Sequence, residues 1–246
     1  LATAEGLAAA PPAGAVLDVL PATGALPAHV TGRFMDPVGF AVAPDGRYVV
    51  LDRRDHTVYL IDRARTAVEQ ILKVGLEPGR LFTPGALSLA GERFAVADAP
   101  NGYERIQVFS LEGRQVGSFY LDERRRMAPR LTIGPLVMNG VGSMQFTGTT
   151  FLVSRPESGG LFEELDFFGR PLRVIGVARP TGLEADANLH LAHNIGIPLV
   201  DPSGGFYFVF QTGRPLIRKY DAAGERRAIE VRRARVDVDL EPRGLV

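Results

Sequence analysis

The chain has 246 residues, 46% of them hydrophobic, and its 28 Lys and Arg balance 28 Asp and Glu to a formal net charge of zero. A neutral chain offers no field that would draw it to nucleic acid or an anionic membrane, so nucleic acid is not expected among its partners, and no stretch is long and apolar enough to span a bilayer. With no Cys, it has no disulfide framework, no thiolate metal ligand and no cysteine nucleophile.

The chain opens LATAEGLAAAPPAG, small, Ala-rich and Pro-containing, which suits a flexible N-terminal tether over residues 1–15 ahead of one domain over 16–246. A tether of this kind follows many secretion and lipoprotein signals, so the expected location is extracytoplasmic: periplasmic, secreted or lipid-anchored. Abundant Ala, Arg and Gly with few Lys and no Trp suits a bacterial source of high GC content. A first strand is expected over 16–20, after which Gly-marked turns cut the chain into four units of alternating apolar residues. The first unit has strands over 38–42, 48–52, 57–61 and 68–74, turning at Pro44-Asp45-Gly46. The second has strands over 86–89, 93–98, 105–109 and 115–120, the third over 143–146, 150–154, 161–167 and 172–177, and the fourth over 197–200, 206–210, 215–220 and 226–231. Helix is expected only within 121–142 or 182–194.

The units repeat. Residues 96–109 echo 49–62, each a strand ending in Asp (Asp98, Asp52), a short polar loop and a second alternating strand, and the lead-in Gly32-Arg33-Phe34-Met35-Asp36-Pro37 returns as Gly79-Arg80-Leu81-Phe82-Thr83-Pro84. Such a unit, at about 45 residues, has the period of a propeller blade. The fold class expected is therefore all-β, a β-propeller of four-stranded antiparallel blades with four blades visible.

On these residues the chain resembles the NHL-repeat and related six-bladed β-propellers of the TolB-like superfamily. Their units carry a Gly-x-Phe-x-x-Pro lead-in, an Asp-Gly turn, a strand ending near Asp and an Arg-Ile-Gln-Val-Phe strand. The second unit matches through Asp98, Asn101, Arg105 to Phe109 and Gly113, whereas the first has Thr57-Val58-Tyr59-Leu60-Ile61 in place of the Arg-Ile motif. The resemblance implies that the four units belong to a six-bladed ring, with 236–240 beginning the next connection and the domain incomplete at its C-terminus. A compact ring of four or five blades is the alternative.

Antiparallel order places the loop between second and third strands, and the connection to the next blade, at one end of every blade. That end collects the loops 53–56, 99–104, 155–160 and 211–214 and the connections 75–85, 121–142 and 178–196, while the opposite end has minimal turns. Long loops on a rigid scaffold are where binding resides. The candidate ligand-binding residues are Arg53, Asp55, His56, Tyr103, Glu157, His190 and His193. The expected function is a binding module, repetitive in structure, that presents this end to a protein, peptide or glycan, with no cofactor and no catalytic constellation. The alternative, carried by the resemblance, is a propeller hydrolase or lyase of lactonase or amidating-lyase type with a metal at the channel mouth, held by His56, His190 or His193 and an Asp.

His190 and His193 are spaced i to i+3 without a recognisable third ligand, so no metal site is assigned. Asp52 and Asp98 read as caps that accept backbone N–H groups, the alternative being paired acids in a channel. The run Asp122-Glu123-Arg124-Arg125-Arg126 with Arg130 reads as a solvated loop rather than an anion site. Phe206, Phe208 and Phe210 share one side of their strand and read as packing between blades. No Gly-x-Ser-x-Gly elbow and no phosphate loop is present.

Overall fold

A computed structural model of the chain describes residues 25–121, 130–133, 136–139, 141–212 and 216–227. The expected tether, the strand over 16–20, the run 122–126 and the segment 236–240 lie outside the described residues. The four units form four antiparallel meanders in sequential order. The first is β1 (Pro37–Val42), β2 (Tyr48–Asp52), β3 (Thr57–Ile61) and β4 (Val68–Gln70). The second is β5 (Ala86–Ala90), β6 (Arg93–Asp98), β7 (Arg105–Ser110) and β8 (Gln115–Tyr120). After a hairpin of β9 (Arg130–Ile133) and β10 (Leu136–Asn139) comes the third, β11 (Met144–Phe146), β12 (Phe151–Ser154), β13 (Phe162–Leu165) and β14 (Pro171–Ile175). The fourth is β15 (Gly196–Val200), β16 (Phe206–Phe210), β17 (Ile217–Tyr220) and β18 (Arg226–Arg227). Each of the sixteen strands expected in the four units is present within the described residues.

The connections hold two local differences and one expected helix. The connection 121–142 holds the β9–β10 hairpin where helix was allowed, because Leu131, Thr132, Ile133, Leu136 and Val137 are strand formers that pair with Ile133 opposite Leu136. In the other permitted segment a helix does form, α2 (Ala187–Ala192), capped by the Asp186 carboxylate accepting from Leu189 N–H. A four-residue helix, α1 (Ala28–Thr31), was not foreseen; its Val30, with Leu26 and Phe34, packs on Val50, Tyr59 and Ile61 at the outer flank of the first blade.

Between blades the core is layered. Val49, Leu51, Val58 and Leu60 meet Phe94, Val96 and Phe109 of the second blade. Ala95, Ala97, Ile106 and Val108 meet Phe151, Val153 and Leu165 of the third. Leu152 and Phe162 meet Phe206, Phe208, Phe210 and Tyr220 of the fourth, so the three fourth-blade phenylalanines are interblade packing as expected. Inner strands β1, β5, β11 and β15 neighbour one another in that order, and no comparable packing joins β15 back to β1. Gly39 permits the first of these approaches: a Cβ there would stand 2.8 Å from the Leu87 Cβ. On β1 the other side chains, Val38, Phe40 and Val42, are exposed.

One position recurs at the head of every blade. At or next to the start of the second strands, Tyr48 stands opposite Ile61, Phe94 opposite Phe109, Phe151 opposite Leu165 and Phe206 opposite Tyr220. Four residues further on in each stand Asp52, Asp98, Arg155 and Phe210. Asp52, fully buried, accepts N–H groups of Met35 (2.6 Å), Asp36 (3.0 Å), Arg54 (3.0 Å) and Asp55 (3.0 Å). It therefore ties the arriving lead-in and its own loop to the strand end. Asp98 accepts from Phe82 N–H (3.1 Å) and from the Arg105 fork at Nε (2.9 Å) and Nη2 (2.7 Å). Arg105, 1% exposed, also donates to the carbonyls of Leu76 and Arg80, while Gln107 accepts from Gly79 N–H and donates to Arg80 O. The Arg-Ile-Gln motif is thus a clamp on the connection 75–85. Asp52 is a cap on its own loop, as expected, whereas Asp98 is chiefly the buried partner of Arg105 and takes one N–H, that of Phe82, from the arriving connection.

Replacing Asp98 with Ala strands the buried Arg105 charge and is expected to lower stability by about 3–5 kcal/mol, whereas the double change Asp98→Leu/Arg105→Met costs less than that single one. Urea unfolding of the three proteins checks the order. Burial pushes the Asp52 carboxyl upward, but the N–H groups of Asp55, Asp36, Met35 and Arg54 outweigh it and hold the group below its ordinary value. The stabilisation is fully present above the unfolded value near ~4 and is lost as pH falls through the depressed folded value. Asp52→Asn should therefore flatten the acid limb of a plot of melting temperature against pH.

Candidate functional site

The second-to-third-strand loops and the interblade connections emerge at one end of the blades. At the other end the chain turns tightly, with positive φ at Gly46, Gly91, Gly113, Gly148, Gly169, Gly204 and Gly224. Asp166 and Asp221 close two of these turns by accepting backbone N–H groups, and Asp62 does the same in the β3–β4 turn, where Arg65 takes the positive φ. The seven predicted residues all belong to segments of the loop-bearing end, spread over the four blades rather than gathered at one point.

In the first blade Arg53 reaches back to Asp36, with Nη2 2.8 Å from Oδ2 and both side chains exposed. Asp55 accepts the Tyr59 hydroxyl at 3.0 Å; burial first, and then this carboxylate, push the phenol up to about 12, so it stays a donor. His56 has a left-handed backbone (φ 51) and its Nδ1 accepts Thr83 N–H at 2.7 Å, with its ring stacked 5.1 Å from Phe82. The loop of one blade and the connection to the next are joined there, and the proton of the neutral ring is on Nε2.

In the second blade the turn Pro100–Gly102, with Asn101 at φ 55, presents Tyr103 half-exposed at its end. In the third, Glu157 bonds Arg155, whose other partner is Glu163, each at 3.2 Å. Burial opposes the Arg155 charge, and the fields of Glu163, Glu157 and Glu104 overcome it and raise the guanidinium further. Before the fourth blade, His190 Nδ1 lies 2.9 Å from Thr181 Oγ1 and 3.8 Å from Glu184. Glu184 is itself held below its ordinary value, first by Thr181 N–H. The carbonyl of His193, just past α2, receives the Arg179 guanidinium. His56 and His190 are thus engaged by separate partners on different connections. Among the described residues no group of three or more His, Asp or Glu is placed to hold a metal ion.

Two groups at this end were not singled out from the sequence. Arg155 with Glu163 and Glu157 is one; counting the Asp52 and Asp98 position into the third repeat would have found it. The other is Arg179, Phe210 and Arg218, where guanidinium carbons lie 4.5 Å and 5.0 Å from the Phe210 ring centroid. Phe210 was legible as a packing residue. The meeting of two arginines on it brings together a connection and a third strand some forty residues apart, and no local pattern announces that.

No protein-family model and no curated protein matches the chain. Among solved structures it is similar to virginiamycin B lyase from Staphylococcus aureus, with a TM-score of 0.51 and 9% identity over 80% of this chain and 56% of that one. It is also similar to an auxiliary nutrient binding protein from Bacteroides thetaiotaomicron, with a TM-score of 0.50 and 12% identity over 78% of this chain and 40% of that one. Kuenenia stuttgartiensis hydrazine synthase gives a TM-score of 0.50 and 13% identity over 77% and 47%. The chain thus spans about half the length of the structures it matches. At these identities the likeness is one of fold, and the fold is the β-propeller.

Proposed function

We propose that the protein is an extracytoplasmic binding module whose loop-bearing end receives a protein, peptide or glycan, its four blades belonging to a six-bladed ring. The observation that carries this reading is the asymmetry of the two ends. At one end the chain turns tightly, at a positive-φ Gly in each blade and at Arg65 between β3 and β4, while the other end carries His56, Tyr103, Glu157 and α2 on loops and connections with rigid roots. The exposed apolar side of β1 supports the larger ring. The Ala- and Pro-rich residues 1–15 support export, and among the described residues no helix is long and apolar enough to cross a membrane.

Fold alone selects no activity, since one solved neighbour is described as a lyase and another as a nutrient binding protein. The side chains at the loop-bearing end favour binding. They are engaged with one another in pairs, Arg53 with Asp36 and Arg155 with Glu157, and present mixed charge and an aromatic ring over a broad surface.

The test is a glycan array and a peptide library probed with the protein and two triple variants. Arg53→Ala/Tyr103→Ala/Glu157→Ala is expected to lose at least about tenfold in affinity for whatever is selected, a difference of about 1.4 kcal/mol. Glu92→Ala/Arg114→Ala/Phe168→Ala, on the opposite end, is expected to bind as the parent does. Equal binding by the two variants overturns the assignment of the face.

A further inference from the structure

The recurring position at the head of the blades keeps a charge ledger, and three of its four instances close within the described residues. Asp52 is satisfied by four backbone N–H groups. Asp98 meets Arg105 in a buried pair with both side chains almost wholly enclosed. In the third blade the sign is inverted to Arg155, and two carboxylates, Glu157 and Glu163, answer it.

The fourth blade differs. Its instance is Phe210, which is neutral, yet two guanidiniums converge on that ring, Arg179 from the connection and Arg218 from β17. Neither forms an ion pair among the described residues. Arg218 is 8% exposed and donates through Nη1 to Val177 O at 2.5 Å, while its buried Nε has no partner among the described residues. A desolvated guanidinium without a counter-charge is costly, and its fork of donors matches the oxygens of a carboxylate or phosphate.

Arg179 is held in place for such a role. The fully buried Asn194 accepts Arg179 N–H at 2.8 Å and donates to Arg179 O at 3.3 Å, fixing the backbone from both sides. Its side chain forks onto His193 O through Nε (3.0 Å) and Nη2 (2.8 Å), and Nη2 also reaches Thr212 O at 2.7 Å. Among the described residues this leaves Nη1 without an acceptor, on a half-exposed side chain. Burial and then the charge of Arg218 depress the Arg179 pKa, and no carboxylate offsets them.

We propose that the head of the fourth blade is an oxyanion site, in which a carboxylate or phosphate group of the ligand is held by Arg179 and Arg218 beside the Phe210 ring. The inference rests on the reading of this end as a binding face and names the chemical class that its fourth blade takes. It also explains why the acid of the repeat is replaced by an aromatic ring here: an internal carboxylate would occupy the place of the ligand's.

Titration calorimetry of the full chain with inorganic phosphate and, separately, with acetate and citrate tests it. Saturable binding of at least one probe with a dissociation constant below about 10 mM is expected, and preference for phosphate or for the carboxylates identifies the source of the oxyanion. Arg179→Gln should weaken that binding by at least about tenfold, and Phe210→Asp, which supplies an internal counter-charge as Asp98 does in the second blade, should abolish it while the protein stays folded. Arg218→Gln is the parallel variant for the buried partner; should it fail to fold, the half-exposed Arg179 still decides. Absence of saturable binding of every probe, or equal binding by parent and Arg179→Gln, overturns the site and leaves the broader face to its own array test. Anion binding that depends on Arg179 in a protein whose array binding ignores the loop variants upholds the site and removes the face.

Discussion

A propeller blade is a small meander that cannot stand alone, and its chief mechanical problem is the chain that arrives from the previous blade. That connection crosses the head of the structure without a strand partner of its own, so its N–H and C=O groups need acceptors and donors from elsewhere. In the second blade the solution is the buried Asp98 and Arg105 pair with Gln107, which together take Phe82 N–H, Gly79 N–H and the carbonyls of Leu76 and Arg80. In the first blade Asp52 alone does the corresponding work. Once the connection is pinned, the inner strand starts at a fixed place, Gly39 lets β1 and β5 approach, and the phenylalanine and valine layers close between blades.

This explains how the sequence could be read so far. Apolar alternation and glycine turns report on the strands directly, because both are local constraints, and every blade strand is where the pattern puts it. The ends of strands were less visible. β4 runs only to Gln70, although Ile71 N–H still reaches Val58 O and Leu72 O still accepts the Thr57 hydroxyl; beyond that Val74 bridges Leu81 in the following connection. The β9–β10 hairpin and α1 sit in connections, where no blade repeat supplies a template.

Site residues divide in the same manner. Arg53, His56 and Glu157 follow from loop position, since topology alone sends them to one end. What each touches does not follow, because the partners of His56 and Arg179 come from connections of another length in every blade. The Asp52 pairing with backbone was legible from the habit of Asp at turns, while the Asp98 pair with Arg105 and the substitution of Arg155 and Phe210 at the same place became visible only once registers could be superposed. Departures from a repeat carry more about function than the repeat itself, for the repeat describes what every blade needs in order to stand.

The anchoring of loop amides by strand-end carboxylates has a dynamic consequence. Met35, Asp36 and Phe82 lie outside regular strands, yet their N–H groups end on buried carboxylates rather than in water. Such amides exchange with solvent only when the blade head opens, so the lead-ins of the first two blades have roots as slow as the sheet. A ligand at the loop-bearing end would therefore meet loops set on slow-exchanging bases, and could rearrange their side chains without any cost falling on the blades beneath.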